Sequence, residues 1–275
     1  MEKRILIQRI SANNPSSKKY EAMIIKNCEM VKENSTDITV RGLKRGLNKL
    51  DEFAYSFLHY LNDRETFEAV LQGEKDGFDA IVVYCFSDPA LDEMRQALTI
   101  PVIGLGQPSM MLASLMGSKF GLIAMSKASI TRNEQLARKY GFIDKLILPI
   151  RPLPISVEEQ GKSILDAKVC IEAFKKIAIE YINQGAEVLV PACGTLSLAF
   201  RFSPGCPELP NGLTEFDGVP IVDDAAIAIK MAEIMVDLKR AGSSWISRKG
   251  IYSRPSEQFI IEANRKIGYS FGGVN

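Results

Sequence analysis

The stretch GFDAIVVYCFSDPALDE, residues 77–93, decides the fold class because an apolar run in it passes directly into a helix start. A short, nearly continuous apolar run is typical of a strand in a parallel sheet covered on both faces. Asp88 is a favourable N-cap residue, and Pro89 fits the first position of a helix. The stretch therefore predicts a strand-to-helix connection with Cys85 at the carboxyl end of the strand, where α/β folds bind their ligands.

The same alternation of strand and helix patterns continues along the chain. Strand-like apolar runs occur at residues 4–10, 37–43, 78–85, 100–106, 119–126, 145–152, 187–194 and 219–223. Helical patterns occur at residues 15–33, 50–74, 88–98, 108–117, 129–141, 164–185 and 224–242. Strands that alternate with helices predict βαβ units and parallel sheets, and therefore an α/β fold.

A second stretch, GAEVLVPACGTL at residues 185–196, has the same order of features as residues 77–88: glycine, acidic residue, apolar strand and cysteine. Two such units facing each other would place Cys85 and Cys193 across one cleft. Two opposed thiols suit racemisation or epimerisation, in which one thiolate removes a proton from carbon and the other thiol returns a proton to the opposite face. Each cysteine taken alone is explained as simply by packing, since free cysteines are often buried.

Composition limits the remaining possibilities. The chain has 275 residues, 46% hydrophobic and 24% charged, which suits one large globular domain or two smaller ones. Its net charge of +1 argues against nucleic acid and anionic membranes as partners. The first residues, MEKRILIQRI, do not resemble a signal peptide, and no apolar run is long enough to span a bilayer. We therefore expect a soluble, cytoplasmic protein without a membrane partner.

Cysteine and histidine usage excludes two kinds of site. The five cysteines are scattered and contain no CxxC pair, which is not a disulfide framework. The single histidine, His59, rules out a zinc site built from several histidines, and no metal is expected. His59 lies in the apolar helical stretch FAYSFLHYL, a position that favours a partly buried helix residue over a catalyst.

Four segments resemble the aspartate/glutamate/hydantoin racemase superfamily, and within it the hydantoin (allantoin) racemase branch. The most specific is YCFSDPALDEMRQALTIPVIGLGQPSMMLASLMGSKFGLIAMS at residues 84–126, with its Cys-Phe-x-Asp-Pro and Pro-Val-x-Gly-x-Gly motifs. The others are ILIQRISANNPSS at 5–17, ITVRGLKRG at 38–46, and VPACGTLSL at 190–198 followed by FDGVPIVDDAAIAIKMAE at 216–233.

The resemblance implies two pseudo-symmetric parallel-sheet α/β domains with the active site in the cleft between them. We expect residues 1–105 plus 220–275 to form the lobe carrying Cys85, and residues 106–219 the lobe carrying Cys193. The resemblance implies a homo-oligomeric, cofactor-independent isomerase that acts on a small molecule with Cys85 and Cys193 as acid and base. It also implies that six residues contact the substrate: Asn13, Phe86, Ser87, Ser126, Gly194 and Thr195. Turn or helix-capping roles would account equally for Asn13, Ser126 and Thr195.

The sequence departs from the family pattern at several places. The first loop has extra residues, so either Asn13 or Asn14 could face the substrate. The Gly- and Pro-rich segment at residues 201–218 predicts an inserted loop, with Cys206 outside the chemistry. In the C-terminal tail, SEQFIIEANRKIG predicts a helix with Ser256 as cap and Gly268 as stop.

Other functions stay open at this point. The arylmalonate decarboxylase type of the same superfamily uses only one of the two cysteines, and the maleate isomerase type uses one as a nucleophile. A nucleotide-binding protein would account for GLGQPS at residues 104–109, although a third glycine and the ribose-binding acid are missing. A non-catalytic two-lobe binding protein would not need matched cysteines. The few charged candidates favour a neutral cyclic substrate, such as a 5-substituted hydantoin, over a dicarboxylate.

Overall fold

The computed structural model describes residues 2–206 and 211–267. Its strands are β1 (Lys3–Ala12), β2 (Thr36–Leu43), β3 (Ala80–Tyr84), β4 (Val102–Ile103), β5 (Phe120–Ala124), β6 (Arg151–Pro152), β7 (Val188–Pro191), β8 (Glu215–Phe216) and β9 (Val219–Pro220). The helices between and after them are α1 (Ser17–Glu29), α2 (Ser56–Lys75), α3 (Leu91–Ala97), α4 (Gly106–Met116), α5 (Lys127–Lys139), α6 (Val157–Lys162), α7 (Lys168–Ile182), α8 (Gly194–Phe202), α9 (Asp224–Arg240) and α10 (Glu257–Ile267).

Two parallel sheets organise the chain. The first has the strand order β2-β1-β3-β4, and the second has the order β6-β5-β7. In the first sheet Ile7 pairs with both Val40 and Val82, and in the second Leu122 pairs with Val190. A separate antiparallel pair joins β8 and β9. The predicted α/β class with parallel sheets is confirmed.

Strand residues alternate between two hydrophobic cores, one on each face of a sheet. In β3, Ala80, Val82 and Tyr84 belong to one core, and Ile81 and Val83 belong to the other. Side chains of successive strand residues point to opposite faces, so a strand buried on both faces must be apolar throughout. This explains the continuous apolar run that the sequence shows at residues 80–84.

Helices cover both faces of each sheet. Helices α1 and α9 pack on one face of the first sheet, and α2 and α3 pack on the other. Helix α7 covers one face of the second sheet, and α4 and α5 cover the opposite face. The C-terminal tail comes after α9 and packs against α3, where the Tyr252 hydroxyl donates to the Asp92 carboxylate. The expected boundaries of the two lobes stay a prediction.

Asp88 has a different role from the predicted N-cap of the helix that follows Cys85. That helix, α3, begins at Leu91, and both Asp88 and Ala90 have positive φ angles of 48°. The buried Asp88 carboxylate instead accepts hydrogen bonds from the backbone N–H groups of Gly106 and Gln107 and from the Tyr140 hydroxyl. It therefore caps α4, a helix eighteen residues further along the chain, because that packing satisfies the α4 terminus better than a local turn would.

The contact of Asp88 with α4 also explains the glycines of the GLGQPS stretch. A Cβ atom at Gly104 would lie 2.0 Å from Asp88 Oδ1, and one at Gly106 would lie 2.3 Å from the Phe86 carbonyl oxygen. The N-terminal amides of α4, which would bind a phosphate in a dinucleotide site, already bind a carboxylate of the protein. The nucleotide-binding reading therefore loses its structural basis.

Several predicted boundaries differ from the structure. The strand expected at 145–152 is reduced to Arg151–Pro152, because Pro149 and Pro152 cannot donate to a ladder. The helix expected from residue 164 begins at Lys168. The backbone N–H of Lys168 donates a hydrogen bond to the Asp166 carboxylate. The run at 219–223 pairs mainly with β8 and reaches the second sheet through a single bridge from Ile221 to Leu189.

The predicted loop at residues 201–218 and the C-terminal tail both contain regular secondary structure. Arg201 and Phe202 still belong to α8, and Glu215 and Phe216 form β8, so the predicted loop is shorter than 201–218. The tail helix α10 is confirmed, with the Ser256 hydroxyl accepting from the Phe259 N–H. Residues 207–210 of the loop and the predicted stop at Gly268 lie outside the described residues.

The capping of α4 by Asp88 leads to a stability prediction. Asp88→Asn preserves shape and tolerates a positive φ, but it replaces one carboxylate oxygen with an NH₂ group that faces a donor. We expect the free energy of unfolding to fall by about 1–3 kcal/mol, the usual cost of a buried polar group without a partner. Urea unfolding followed by circular dichroism measures it, with Asp144→Asn on the surface as control. A loss equal to that of the control would contradict the role of Asp88.

Candidate active site

A cavity of about 130 Å³ lies where strands β3 and β7 end. Cys85 directly follows β3, and Cys193 follows β7 by two residues, and both line this cavity. Strand ends of parallel sheets carry backbone groups without sheet partners, and the loops after them form the binding face of α/β folds. The sequence similarity between residues 77–88 and 185–196 therefore corresponds to two strand ends that meet at one cavity.

Most of the residues singled out in the sequence meet at this cavity. Its lining includes five of the six expected substrate contacts: Phe86, Ser87, Ser126, Gly194 and Thr195. Asn13 is exposed and does not line it, because its side-chain oxygen accepts a hydrogen bond from the Arg9 guanidinium. Asn14 borders a neighbouring depression, where its amide donates to the Asn48 carbonyl.

Cys193 is a buried thiol at the start of α8. It is the N-cap residue of this helix, and its Sγ lies 3.9 Å from the Met125 sulfur. Burial raises the pKa of Cys193 to about 11, although hydrogen bonds from the backbone N–H groups of Leu196 and Thr195 act in the opposite direction. Cys193 is therefore a protonated thiol at neutral pH.

Cys85 is half-buried and is connected to a chain of polar side chains. Its Sγ lies 3.1 Å from the Ser87 hydroxyl, which lies 3.2 Å from His59 Nε2. On the other side of the ring, His59 Nδ1 lies 2.9 Å from an Asp63 carboxylate oxygen. The two cysteines follow similar strands but differ sharply in their surroundings.

His59 carries a positive charge at neutral pH. Burial alone would lower its pKa, but hydrogen bonds and charge interactions with Asp63 and Cys85 outweigh this effect and raise the pKa of His59 to about 9. The expectation that His59 is a buried helix residue is met, since its exposed fraction is 6%. The structure adds that its ring also lines the cavity.

Two aromatic side chains, Tyr84 at the end of β3 and Tyr20 on α1, pack against the first residues of α8 at the cavity. The Tyr84 ring packs so near Gly194 that a Cβ atom there would lie 2.6 Å from the ring. The Tyr20 hydroxyl lies 3.1 Å from the Thr195 hydroxyl, which gives Thr195 a partner other than the predicted helix cap. Gly194 is therefore required by close packing, and the Thr195 hydroxyl links the start of α8 to α1.

Three polar groups at the cavity have no hydrogen-bond partner within the described part of the chain. They are Arg9 Nε, the Ser126 hydroxyl and the Asn133 amide nitrogen, and each atom is buried. Ser126 occupies the N-cap position of α5, as capping predicted, yet its hydroxyl bonds to no backbone N–H of the helix. Because a buried polar atom without a partner is costly, such groups at a cavity indicate where a ligand would bind.

The charge of the cavity lining is positive. Arg9, Arg132 and His59 line it, and none of its lining residues within 2–206 and 211–267 is an aspartate or glutamate. Glu21 offsets part of this charge through its ion pair with Arg9. Within the same described ranges, no group of three or more His, Cys, Asp or Glu residues could hold a metal ion, and no helix has the length and apolarity to cross a bilayer.

Sequence reasoning missed four of these residues: Arg9, His59, Arg132 and Asn133. One signal was present, because Asp63 follows His59 by four residues, which places both side chains on the same face of a helix. Arg132 and Asn133 come from α5, and Arg9 from the middle of β1, and only the folded chain brings them to the cysteines.

Comparison with known proteins identifies the family. A family model described as Asp/Glu/Hydantoin racemase matches residues 16–232. The chain belongs to the Asp/Glu/hydantoin racemase family. This racemase is 27% identical over 238 residues to a hydantoin racemase of Pseudomonas sp. (strain NS671), with 86% of each chain covered. It is 29% identical over 173 residues to a hydantoin racemase of Rhizobium meliloti, with 61% of this chain and 64% of the relative covered.

Solved structures show the same fold. The allantoin racemase from Klebsiella pneumoniae superimposes with a TM-score of 0.75 at 20% identity, covering 93% of this racemase and 95% of the other chain. An aspartate racemase homologue from Pyrococcus horikoshii OT3 gives 0.56 at 14% identity, covering 86% and 100%. The predicted family, its hydantoin racemase branch, the two-domain racemase fold and the assignment as an isomerase are confirmed.

The different environments of the two cysteines predict different reactivities. With a pKa of about 11, roughly one Cys193 in 10³ is a thiolate at pH 8, against roughly one in four for an unperturbed thiol. We expect iodoacetamide at pH 8 to modify Cys85 at least ten times faster than Cys193, as measured by peptide mass spectrometry. Cys206, which is also half-buried, serves as the reactive control. Equal rates for Cys193 and Cys206 would contradict the assignment of Cys193 as a protonated thiol.

Proposed function

We propose that this racemase interconverts the enantiomers of a 5-substituted hydantoin, or a related amino-acid derivative, by proton transfer through Cys85 and Cys193 without a cofactor. The observation that carries the proposal is the position of both cysteines at equivalent strand ends on one cavity. The names of the curated relatives, hydantoin racemases, support the substrate class.

The difference in protonation assigns the first roles of the two thiols. Cys193 is held as a thiol by burial, so it is the acid for the first enantiomer. Cys85 is half-buried and is connected through Ser87 to the His59 cation, so we assign it as the first base. Cys85 takes the proton from the ring carbon, and Cys193 returns one to the opposite face. The other enantiomer uses the same groups in reverse.

The polar lining supports a substrate rich in hydrogen-bond acceptors. When the ring carbon loses its proton, negative charge moves to the neighbouring carbonyl oxygen. Groups such as Arg9 Nε–H and the Asn133 amide, which lack protein partners, would stabilise this charge. A hydantoin ring offers two carbonyl oxygens. The apolar part of the lining, including Ile10, Leu50 and Phe53, suits the remaining surface of a small ring.

The positive lining modifies the expectation of a neutral substrate. Among the described residues, Arg132 makes long contacts of 3.4–3.5 Å, to the Phe53 carbonyl and the Ser56 hydroxyl, so its guanidinium is available to a ligand. A hydantoin whose 5-substituent carries an oxygen-rich or anionic group therefore fits the cavity better than an aliphatic one. The maleate isomerase, arylmalonate decarboxylase and non-catalytic binding alternatives remain as outcomes of the test below.

The first test follows the exchange of the α-proton in D₂O. Proton NMR of single enantiomers of hydantoins, allantoin, aspartate and glutamate would record loss of the α-proton signal, and polarimetry would record racemisation. We expect Cys85→Ala and Cys193→Ala each to lower racemisation by roughly 10²–10⁴-fold, the usual contribution of a general acid or base. Cys206→Ala, which lies outside the cavity lining, is the matched control and should keep wild-type activity.

The exchange reaction separates the alternatives. If each cysteine variant still exchanges one enantiomer only, the face served by each thiol follows. Racemisation at the wild-type rate in either variant would exclude the two-thiol mechanism. Binding of a hydantoin without exchange by the wild type would favour the binding-protein alternative, and decarboxylation or double-bond isomerisation would favour the other two.

We also propose that the protein is a cytoplasmic homo-oligomer, as the family resemblance implies. Light scattering after size exclusion should give a mass that is a multiple of 30.5 kDa and at least twice that value. A mass of one chain at micromolar concentration would contradict the oligomer.

A further inference from the structure

The Asp63–His59–Ser87 chain ends at Cys85, and its other end reaches the surface. His59 and Ser87 line the reaction cavity and also a second, outer depression of about 250 Å³, which Asp63, Tyr60 and Asp88 border as well. The Asp63 side chain is 24% exposed. The chain therefore forms a hydrogen-bonded path from Cys85, along the wall of the reaction cavity, to the outer depression.

From this path we propose that Ser87 and His59, with Asp63 holding the ring in place, return Cys85 to its starting protonation state after each turnover by carrying its proton to solvent. This inference rests on the proposed two-thiol function. His59 is a relay residue that acts through Ser87, rather than a group that reacts with substrate.

The need for such a path follows from the reaction. After one turnover Cys85 has gained a proton and Cys193 has lost one, so the enzyme is ready only for the product enantiomer. Conversion of a second molecule in the same direction requires both cysteines to exchange protons with solvent. At saturating substrate this return step limits the rate whenever proton transfer to and from the substrate is faster than the return.

The contacts give the proton a defined route. In the starting state the His59 imidazolium donates from Nε2 to the Ser87 oxygen, and the Ser87 hydroxyl donates to the Cys85 thiolate. When the substrate proton neutralises the thiolate, the charge that stabilised the imidazolium is lost. His59 then releases its Nε2 proton to water in the outer depression, which His59 and Ser87 both line, and keeps its Nδ1 proton on the hydrogen bond to the Asp63 carboxylate. The Cys85 S–H proton moves to Ser87, and the Ser87 proton moves to His59 Nε2, which regenerates thiolate and imidazolium.

The groups around His59 favour a ring that gains and loses a proton. Asp63 lies on its own helix, Cys85 at the end of β3, and Arg132 on α5, while the Phe53 ring packs edge-on at 5.8 Å. Asp88 borders the outer depression but is engaged with α4. Burial opposes the protonated ring, and hydrogen bonds and negative charge on Asp63 and Cys85 favour it, so a change of charge on Cys85 shifts the balance.

The test compares His59→Gln and Asp63→Asn with wild type and with Glu68→Gln, a matched control on the same helix that lines neither cavity. Glutamine can hydrogen-bond to Ser87 but does not titrate. In weakly buffered solution we expect the limiting racemisation rate of His59→Gln to fall at least ten-fold, with a smaller fall in kcat/KM. Added imidazole should raise that limiting rate in proportion to its concentration, and should leave wild type and the control unchanged. An equal fall in both constants without a response to imidazole would overturn the relay.

A second measurement needs no substrate and separates the relay from the proposed function. The alkylation rate of Cys85 against pH should have its midpoint at higher pH by at least half a unit in His59→Gln than in wild type and Glu68→Gln. Identical profiles would overturn the relay whatever the racemase assay gives. A shifted profile in a protein that racemises no hydantoin would keep the link between His59 and Cys85 and refute the substrate proposal alone.

Discussion

The buried carboxylate of Asp88 fixes the position of the Cys85 loop, and the rest of the site depends on it. It accepts from two N-terminal amides of α4 and from the Tyr140 hydroxyl, so one side chain joins the loop after β3 to α4 and to the end of α5. A carboxylate with three donors has little freedom to move, since any shift would leave a buried donor without a partner. The positive φ angles at Asp88 and Ala90 are maintained by these bonds. Phe86 and Ser87 lie between Cys85 and this anchor and take their positions from it.

The two halves of the site share a topology but not a chemistry. Both cysteines follow parallel strands. Cys193 is the N-cap residue of α8, whereas the chain after Cys85 turns at Asp88, whose carboxylate caps α4. That turn brings Ser87 into contact with His59, so that Cys85 has a route to a charged side chain. The desolvated environment of Cys193 holds a proton. In the proposed mechanism, such an asymmetric pair starts each cycle with one thiol and one thiolate, which is the state that a two-base reaction needs.

The sequence predicted the fold well where the signal was local. The apolar runs identified β3, β5 and β7, because strands buried on both faces must be apolar at every position. Predictions failed where a distant contact decided the outcome. Asp88 and Pro89 are a good local helix start, but the α4 amides compete for the carboxylate, and α3 starts at Leu91 instead. The prolines at 149 and 152 shortened β6 in a way that an apolar pattern does not report.

The same distinction between local and distant signals applies to the site. Cys85 and Cys193 were found because each follows a strand, and a strand end is a local pattern. Arg9 and Asn133 were not predicted as site residues, because no sequence pattern marks them. Each has a buried nitrogen without a hydrogen-bond partner among the described residues, and this is visible only in the folded chain. His59 was read as a packing residue, and burial alone supports that reading. Its contact with Ser87, 28 residues later, converts a buried helix residue into part of a path between a thiol and solvent.

The proposed path from Cys85 through Ser87 and His59 would let Cys85 exchange protons with water while the reacting carbon is shielded from water. A carbanion formed next to bulk water would be reprotonated on either face, and the energetic benefit of the unpartnered donors would be weakened by solvent. Enclosing the reacting carbon removes these losses but also cuts both thiols off from the proton source that restores them. In the proposed mechanism one side of Cys85 faces the substrate, and Ser87 and His59 connect its sulfur to the outer depression. Because Cys193 has no such chain among the contacts of the described residues, its return must pass through the cavity once the product has left. The two thiols would therefore exchange protons with solvent at different rates. The slower of the two exchanges would set the limiting rate of racemisation.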